Sequence, residues 1–445
     1  MPVPTGPVDL GLLPSTAVVG ADGRLSIGGC DVGELAEAHG TPLFVYDEAH
    51  LRASCRDAVA AWGDGVAYAT KAFLCVAMAR LAYEEGMCLD VSTGGELHVA
   101  LTAGVPADRL VLHGNNKSTE ELAAALSVGV GRIVVDSFDE IDRIEHLVAD
   151  PTAIDGGPED AEPPVRWRPR VLVRVTPGVE VHTHEFVRTG QEDSKFGFGL
   201  ASGAATRAVD RLAALDAAGV VELVGVHAHL GSQVFALEPF AQAVDVLAGF
   251  FAPLGLSELV VGGGLGVAYV NGEQAPPMAE WAASVREACR RAGIADTVRV
   301  TAEPGRSIVA AAGVTLYTVG TVKDVPGHRT YVSVDGGMSD NPRPVLYGSG
   351  YEAFLPRETD APRPMPIRLV GKHCETGDVV VADGFVPADL SVGDLLCTPV
   401  TGAYGHSMAS NYNKVPRPSV VFVADGSART VVRRETFDDL VRLDV

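Results

Sequence analysis

Between Val66 and Arg306 the chain alternates short apolar runs with longer stretches of helical spacing. The runs are Val66–Ala69, Met87–Val91, Arg109–Leu112, Arg132–Val135, Val171–Val175, Val221–His227, Leu259–Val261 and Val298–Ala302. Each has the unbroken apolar character of a strand buried on both faces of a parallel sheet. The segments between them, such as Thr119–Ser127, Ala204–Ala218, Glu238–Leu254 and Met278–Ala292, are Ala- and Leu-rich with helical periodicity. Strand-helix alternation of this kind builds crossover units, and eight of them predict a (β/α)8 barrel of the TIM type.

Beyond about Ala310 the texture changes. Val314–Val319, Thr330–Val334, Val379–Ala382, Leu395–Val400 and Ser419–Val423 are short, β-branched and bounded by Gly, Pro or Asp. They predict a second, mostly antiparallel β domain. Leu25–Ile27 and Pro42–Tyr46 are candidates to join it. The division expected is a barrel over 48–310 and a β domain from 1–47 and 311–445. Ile154–Pro169, rich in Pro, Gly and acids, reads as an exposed loop.

Composition narrows the function. In 445 residues, 47% are hydrophobic, enough for a sizeable core. No apolar stretch approaches the roughly 20 residues that span a bilayer. Met1-Pro2-Val3-Pro4 lacks the basic-then-apolar order of a signal peptide, so a soluble, cytoplasmic protein is expected. The net charge of −22 argues against a nucleic-acid partner. Seven scattered cysteines without a C-x-x-C pair argue against a disulfide framework or a structural zinc site.

Polar and glycine signals gather just after the apolar runs: Lys71, Asp90, His113-Gly114-Asn115-Asn116, His229, Gly262-Gly263-Gly264 and Glu303-Pro304-Gly305-Arg306. In a (β/α)8 barrel this is the C-terminal face, where catalytic groups converge. Any one of them alone would pass for a turn residue. Lys71, expected among apolar neighbours, could serve as an amine nucleophile. Gly262–Gly266 and His229-Leu230-Gly231-Ser232-Gln233 are adjacent loops suited to a phosphate, while no G-x-x-x-x-G-K-[ST] sequence is present. A carboxylate such as Glu303 facing a pyridine nitrogen keeps it protonated and makes the ring an electron sink. In the second domain, Lys372–Asp378 holds Cys374, which can donate a proton, and Glu375, which can bind an ammonium. Asn341–Tyr347 and Gly402-Ala403-Tyr404 read as loops.

Taken in order, these segments resemble fold-type III pyridoxal-phosphate decarboxylases, and within them the diaminopimelate decarboxylase family. The resemblance covers Tyr68–Leu74, Cys88–Glu96, His113–Ser118, His184–Phe198, His227–Gln233, Gly262–Gly266, Glu303–Arg306, Asp340–Tyr347, His373–Asp378 and Thr401–Asn413. It implies that Lys71 carries pyridoxal phosphate as a Schiff base and that His229 stacks on the ring. Ser232, Gly264 and the segment Glu303, Pro304, Gly305, Arg306 would hold the phosphate and ring nitrogen. Asp90, Glu96 and Arg174 would lie near the lysine and the ring hydroxyl. Arg306, Arg343, Tyr347, Glu375 and Tyr404 would bind substrate, Tyr404 also near the phosphate. Cys374 would donate the proton, reaching with Glu375 across the interface of a head-to-tail homodimer.

The expected reaction is decarboxylation of meso-2,6-diaminopimelate to L-lysine and CO2, with no metal. Glu375 suits the distal ammonium, and Arg306 or Arg343 suits the distal carboxylate. Alternatives are a decarboxylase of ornithine, lysine, arginine or carboxynorspermidine, an alanine-racemase-like enzyme, a non-catalytic cofactor-binding relative and a cofactor-free Schiff-base aldolase.

Overall fold

The computed structural model describes residues 6–150, 168–178, 193–229 and 231–445. Most of the Ile154–Pro169 loop, and His184–Glu192 of the resemblance, lie outside the described residues. The chain divides into two compact units: Cys55–Gly266 with Pro276–Gly305, and Met1–Ser54 with Val267–Ala275 and Arg306–Val445.

The first unit is the barrel. Its strands are Ala67–Ala69, Cys88–Val91, Leu110–Leu112, Arg132–Val135, Arg170–Thr176, Glu222–His227, Glu258–Val260 and Arg299–Thr301. All neighbours pair in parallel, in chain order. The sheet closes on itself through Ala67 N–H to the Ala302 carbonyl and Ala69 N–H to the Pro304 carbonyl, each 3.1 Å. Closure removes the sheet edges and forces inward residues into packed layers. Ala67, Cys88, Val111, Val134, Leu172, Val224 and Val260 form one such buried layer, contributed by successive strands.

The outer helices are set by local signals. Thr119–Val128 begins at Ser118, whose side chain accepts from Glu121 N–H while Glu121 caps in return, and ends at Gly129 with φ 75°. At the strand beginnings, Glu258 gathers Arg132, Arg170 at 2.8 Å and Arg299 at 3.6 Å. These are first residues of the seventh, fourth, fifth and eighth strands, so the N-terminal face is tied by ions and the C-terminal face is left for chemistry.

The second unit contains an eight-stranded sheet. Its order is Val379–Val386, Met365–Val370, Arg329–Val334, Gly313–Val325, Leu43–Asp47, Ser419–Ala424 and Ser427–Val432, with Leu395–Thr398 also pairing Gly313–Val325. Pairings are antiparallel except Arg329–Val334 with Met365–Val370 and Leu43–Asp47 with Ser419–Ala424. Leu43–Asp47 thus joins this sheet, whereas Leu25–Ile27 belongs to a separate three-stranded sheet with Val18–Val19 and Cys30–Asp31. Met365–Val370 and Ser427–Val432 were not among the expected strands. The segment expected as a loop at Arg343 is a short helix, Arg343–Tyr347, entered from Pro342 and closed by Gly348 at φ 61°.

Candidate active site

Seven of the eight barrel strands send a polar side chain to their C-terminal ends, and the seventh is followed by glycines. Lys71 follows the first strand in a 3-10 turn, Thr70–Ala72. Asp90 lies on the second strand and Arg174 on the fifth, while His113 and Asp136 follow the third and fourth. His227 ends the sixth strand, Gly262–Gly264 follow the seventh, and Glu303 follows the eighth.

The centre of this group is Glu303. His227 donates from Nε2 to Glu303 Oε2 over 2.8 Å. The other oxygen, Oε1, lies 2.9 Å from His113 Nε2, and the two imidazoles meet edge to face at 4.9 Å. Burial works against the charge on Glu303, but His113 and His227 outweigh it and hold the carboxyl well below its usual range. Burial likewise opposes a charge on His113, yet Asp90 and Glu303 raise it above the ordinary imidazole value. Burial takes His227 down to about 4. The charged form is thus favoured for Glu303 and His113 and disfavoured for His227. The ligand-type atoms of the three residues lie within 4.8 Å of one another, a spacing a metal could use.

Asp90 lies 3.7 Å from His113 Nε2. Burial pushes its carboxyl up to about 6, against His113 and Lys71 and with Glu303 adding to the rise. Its Oδ1 is buried without a hydrogen-bond partner. Lys71 is itself exposed. Only the flanking Thr70, Ala72 and Phe73 are buried, because the strand ends before the lysine and the chain turns there. Its ammonium acts on both Asp90 and His229. Burial, reinforced by Lys71 and Arg174, holds His229 well below the ordinary imidazole range. Accordingly His229 Nδ1 accepts from Gly263 N–H at 3.1 Å.

The two glycine-bearing loops are adjacent. Val234 N–H bonds the Gly264 carbonyl and Gly266 N–H bonds the Val234 carbonyl, each 2.9 Å. A Cβ on Gly264, at φ +116°, would stand 2.3 Å from the Gly231 carbonyl oxygen. Close packing of loop on loop thus demands that glycine, alongside any approach of an anion. Ser232 shares the His229–Gln233 loop and is half-buried.

Arg174 points Nη1 at Asp136 Oδ2 over 3.4 Å and covers the Phe196 ring at 4.3 Å. The charge of Glu96 acts on Asp90, and its side chain caps a helix: Oε2 accepts Ser92 N–H at 2.6 Å, at the start of helix Gly94–Thr102. That is the ordinary use of a third-position glutamate at a helix N-terminus.

The second unit brings two guanidinium groups into an aromatic nest. Arg306 donates to the Tyr269 hydroxyl at 2.8 Å and lies 4.7 Å over the Tyr404 ring. Arg343, buried, lies 3.9 Å over Tyr269 and donates to the Tyr351 hydroxyl at 3.0 Å and Ser349 at 3.1 Å. Among the described residues Arg343 has no carboxylate partner, which is unusual for a buried cation. Tyr347 is exposed, as are Cys374 and Glu375. Cys374 N–H is held by Asn413 Oδ1 at 2.9 Å. The loop behind it is locked by Asp378, whose Oδ2 accepts His373 Nδ1–H at 2.8 Å and His373 N–H at 2.9 Å.

Sequence reasoning noticed His113 and His227 without giving them a role. It missed Tyr269, Tyr351, Lys117 and Glu140 altogether.

Comparison with known proteins decides the family. A model described as "Pyridoxal-dependent decarboxylase, pyridoxal binding domain" matches residues 48–310. The diaminopimelate decarboxylase of Mycobacterium tuberculosis is 48% identical over 444 residues, covering 95% of this chain and 95% of that protein. The chain belongs to the pyridoxal-dependent decarboxylases, among the diaminopimelate decarboxylases. The Bacillus subtilis diaminopimelate decarboxylase is 44% identical, again covering 95% of each chain. The crystal structure of the M. jannaschii enzyme in complex with L-lysine superposes with a TM-score of 0.87 at 30% identity, covering 98% of this chain and 99% of that one.

The residues present fit pyridoxal phosphate. An ionised Glu303 suits a protonated ring nitrogen, Lys71 offers an exposed amine, and neutral His229 offers an uncharged ring face.

Proposed function

We propose that this chain decarboxylates meso-2,6-diaminopimelate to L-lysine and CO2, using pyridoxal phosphate held on Lys71. The observation that carries the reading is Glu303 kept ionised by two imidazoles at the end of the eighth strand, in a chain 48% identical to a diaminopimelate decarboxylase. When bound, pyridoxal phosphate supplies the electron sink that lets a carboxyl group leave as CO2.

The protein's own residues do the rest. Glu303 holds the proton on the ring nitrogen, and His229 presents its ring face. Gly264 and Ser232, with the Pro304-Gly305-Arg306 segment, hold the phosphate. Lys71 would hold the cofactor through its amine and would give it up to the substrate's amine. Cys374 delivers a proton to the carbon that has lost CO2. Arg306 and Arg343 bind the distal carboxylate, and Glu375 the distal ammonium. The buried Arg343, without a carboxylate partner among the described residues, supports a substrate carrying one. Simple diamine-forming substrates have none at that end.

Two copies act together, each lending Cys374 and Glu375 to its partner's site. The exposure of both residues, and of the apolar side chains Val345, Leu346 and Tyr347 elsewhere in the same unit, supports this. No described helix is long and apolar enough to cross a membrane, and we place the enzyme in the cytoplasm. The test is a coupled assay on protein loaded with pyridoxal phosphate. L-lysine and CO2 should appear in equal amounts from meso-diaminopimelate, and Lys71→Ala should abolish both.

A further inference from the structure

The two imidazoles on Glu303 are not equivalent. His227 makes a well-aligned hydrogen bond at 2.8 Å and is the more deeply buried of the two. His113 Nε2 is close to Glu303 Oε1, at 2.9 Å, but off the line of a hydrogen bond, and the atom remains without a bonded partner. Its second neighbour is Asp90 Oδ1 at 3.7 Å, itself buried and unpartnered. One N–H thus stands between two carboxylates, nearer to Glu303, and leaves Asp90 Oδ1 unsatisfied. Buried polar atoms left in that state are costly, and such sites in native proteins call for an explanation.

The cofactor assigned above supplies one, since its ring nitrogen needs an oxygen of Glu303. Oε2 is firmly engaged by His227, whereas Oε1, among the described residues, is met by His113 without an aligned hydrogen bond. We propose that His113 is the replaceable partner of Glu303: it yields Oε1 to the cofactor's ring nitrogen and gives its own N–H to Asp90 Oδ1. The movement needed is about 1 Å, the difference between 3.7 Å and a normal hydrogen bond. The proton stays on His113 throughout, so no bond is made or broken.

Charge is conserved in the exchange. Glu303 trades an imidazolium for a protonated ring nitrogen, and Asp90 gains the imidazolium. The other charged groups acting on His113 and Asp90 are Arg174, Lys71 and Glu96. Each is carried on another strand end or helix start and need not move. The raised His113, which favours a doubly protonated ring, is consistent with this. His113 is on this account a positioning residue, acting on the cofactor through Glu303.

This inference rests on the cofactor assignment, and its test separates the two. Apoprotein is titrated with pyridoxal phosphate and the cofactor's absorbance band is followed, for the wild type, His113→Gln, Asp90→Asn and the double variant. If the wild type develops no band, the functional reading fails. If His113 turns to Asp90 on loading, each single substitution weakens cofactor binding by roughly tenfold and the double variant by no more than a single one. Independent effects, near a hundredfold in the double variant, would overturn the exchange. Should a variant fail to fold, histidine-selective ¹⁵N spectra of the wild type decide the matter. The His113 signal should stay doubly protonated and shift on loading. A His113 resonance unmoved by the cofactor would refute the proposal.

Discussion

Lys117 Nζ lies 2.7 Å from Glu140 Oε1, and both side chains are almost wholly withdrawn from water. The same ammonium donates to the Gly114 carbonyl at 2.8 Å and the Val134 carbonyl at 2.7 Å. Glu140 in turn accepts Asp136 N–H at 3.3 Å. One buried pair thus ties the loop carrying His113 to the strand end that meets Arg174. Removing one partner strands a buried charge, at a cost of about 3–5 kcal/mol. Lys117→Met should lower the free energy of unfolding measured in urea by that much, and Lys117→Met with Glu140→Leu should recover most of it. A double variant no better than the single one would show that the bonds to Gly114 and Val134 carry the effect.

Acid should weaken the fold through His406. Burial takes its imidazole down to about 4, below the ordinary 6.5. A lowered folded-state value means the unfolded chain takes up protons first. The stabilising contribution of a neutral His406 is therefore complete above about pH 6.5 and is lost as pH falls through about 4. His227 has the same sign and window. Asp90, raised to about 6, has the opposite one: its contribution is present below about pH 4 and fades as pH rises through 6. Because these slopes oppose each other, the comparison must be between variants. His406→Gln should gain on the wild type between pH 7 and pH 4, by roughly 3 kcal/mol. Parallel stability curves for the two proteins would contradict it.

Gly264 carries a double constraint, a φ of +116° and a Cβ position 2.3 Å from a backbone oxygen. Gly264→Ala should weaken binding of pyridoxal phosphate by at least about tenfold and lower thermal stability by more than about 1 kcal/mol. Equilibrium titration and calorimetry read these separately. An alanine accepted without loss in either would mean that the loop relaxes freely.

Sharing of Cys374 between subunits has a direct consequence. Lys71→Ala and Cys374→Ala should each be nearly inactive. Mixed and allowed to exchange subunits, they should regain up to about a quarter of wild-type activity, because half the pairs are mixed and each mixed pair has one intact site. A mixture as inactive as its components would place Cys374 in its own subunit's site.

The barrel was legible because its strands are buried on both faces and stand out as unbroken apolar runs. All eight were located to within a residue or two. Met365–Val370 was missed because Pro366 and Arg368 interrupt its apolar positions, and Ser427–Val432 because it is largely exposed. Lys71, Asp90 and Glu303 could be placed at strand ends. Their partners could not, since His113 and His227 meet Glu303 only when distant strands close into a barrel. Lys117 and Glu140 lie next to or on helices with exposed neighbours, where charged residues ordinarily face water. The Tyr269, Arg306, Tyr351 and Arg343 nest joins four separate segments and has no local signature.

The central claim is tested most directly by presenting the loaded enzyme, side by side, with meso-diaminopimelate, L-lysine and L-ornithine, and measuring CO2 release. The account predicts turnover of meso-diaminopimelate far above the other two, with Arg343→Lys raising KM for it much more than it lowers kcat. Faster release of CO2 from L-lysine or L-ornithine would contradict it.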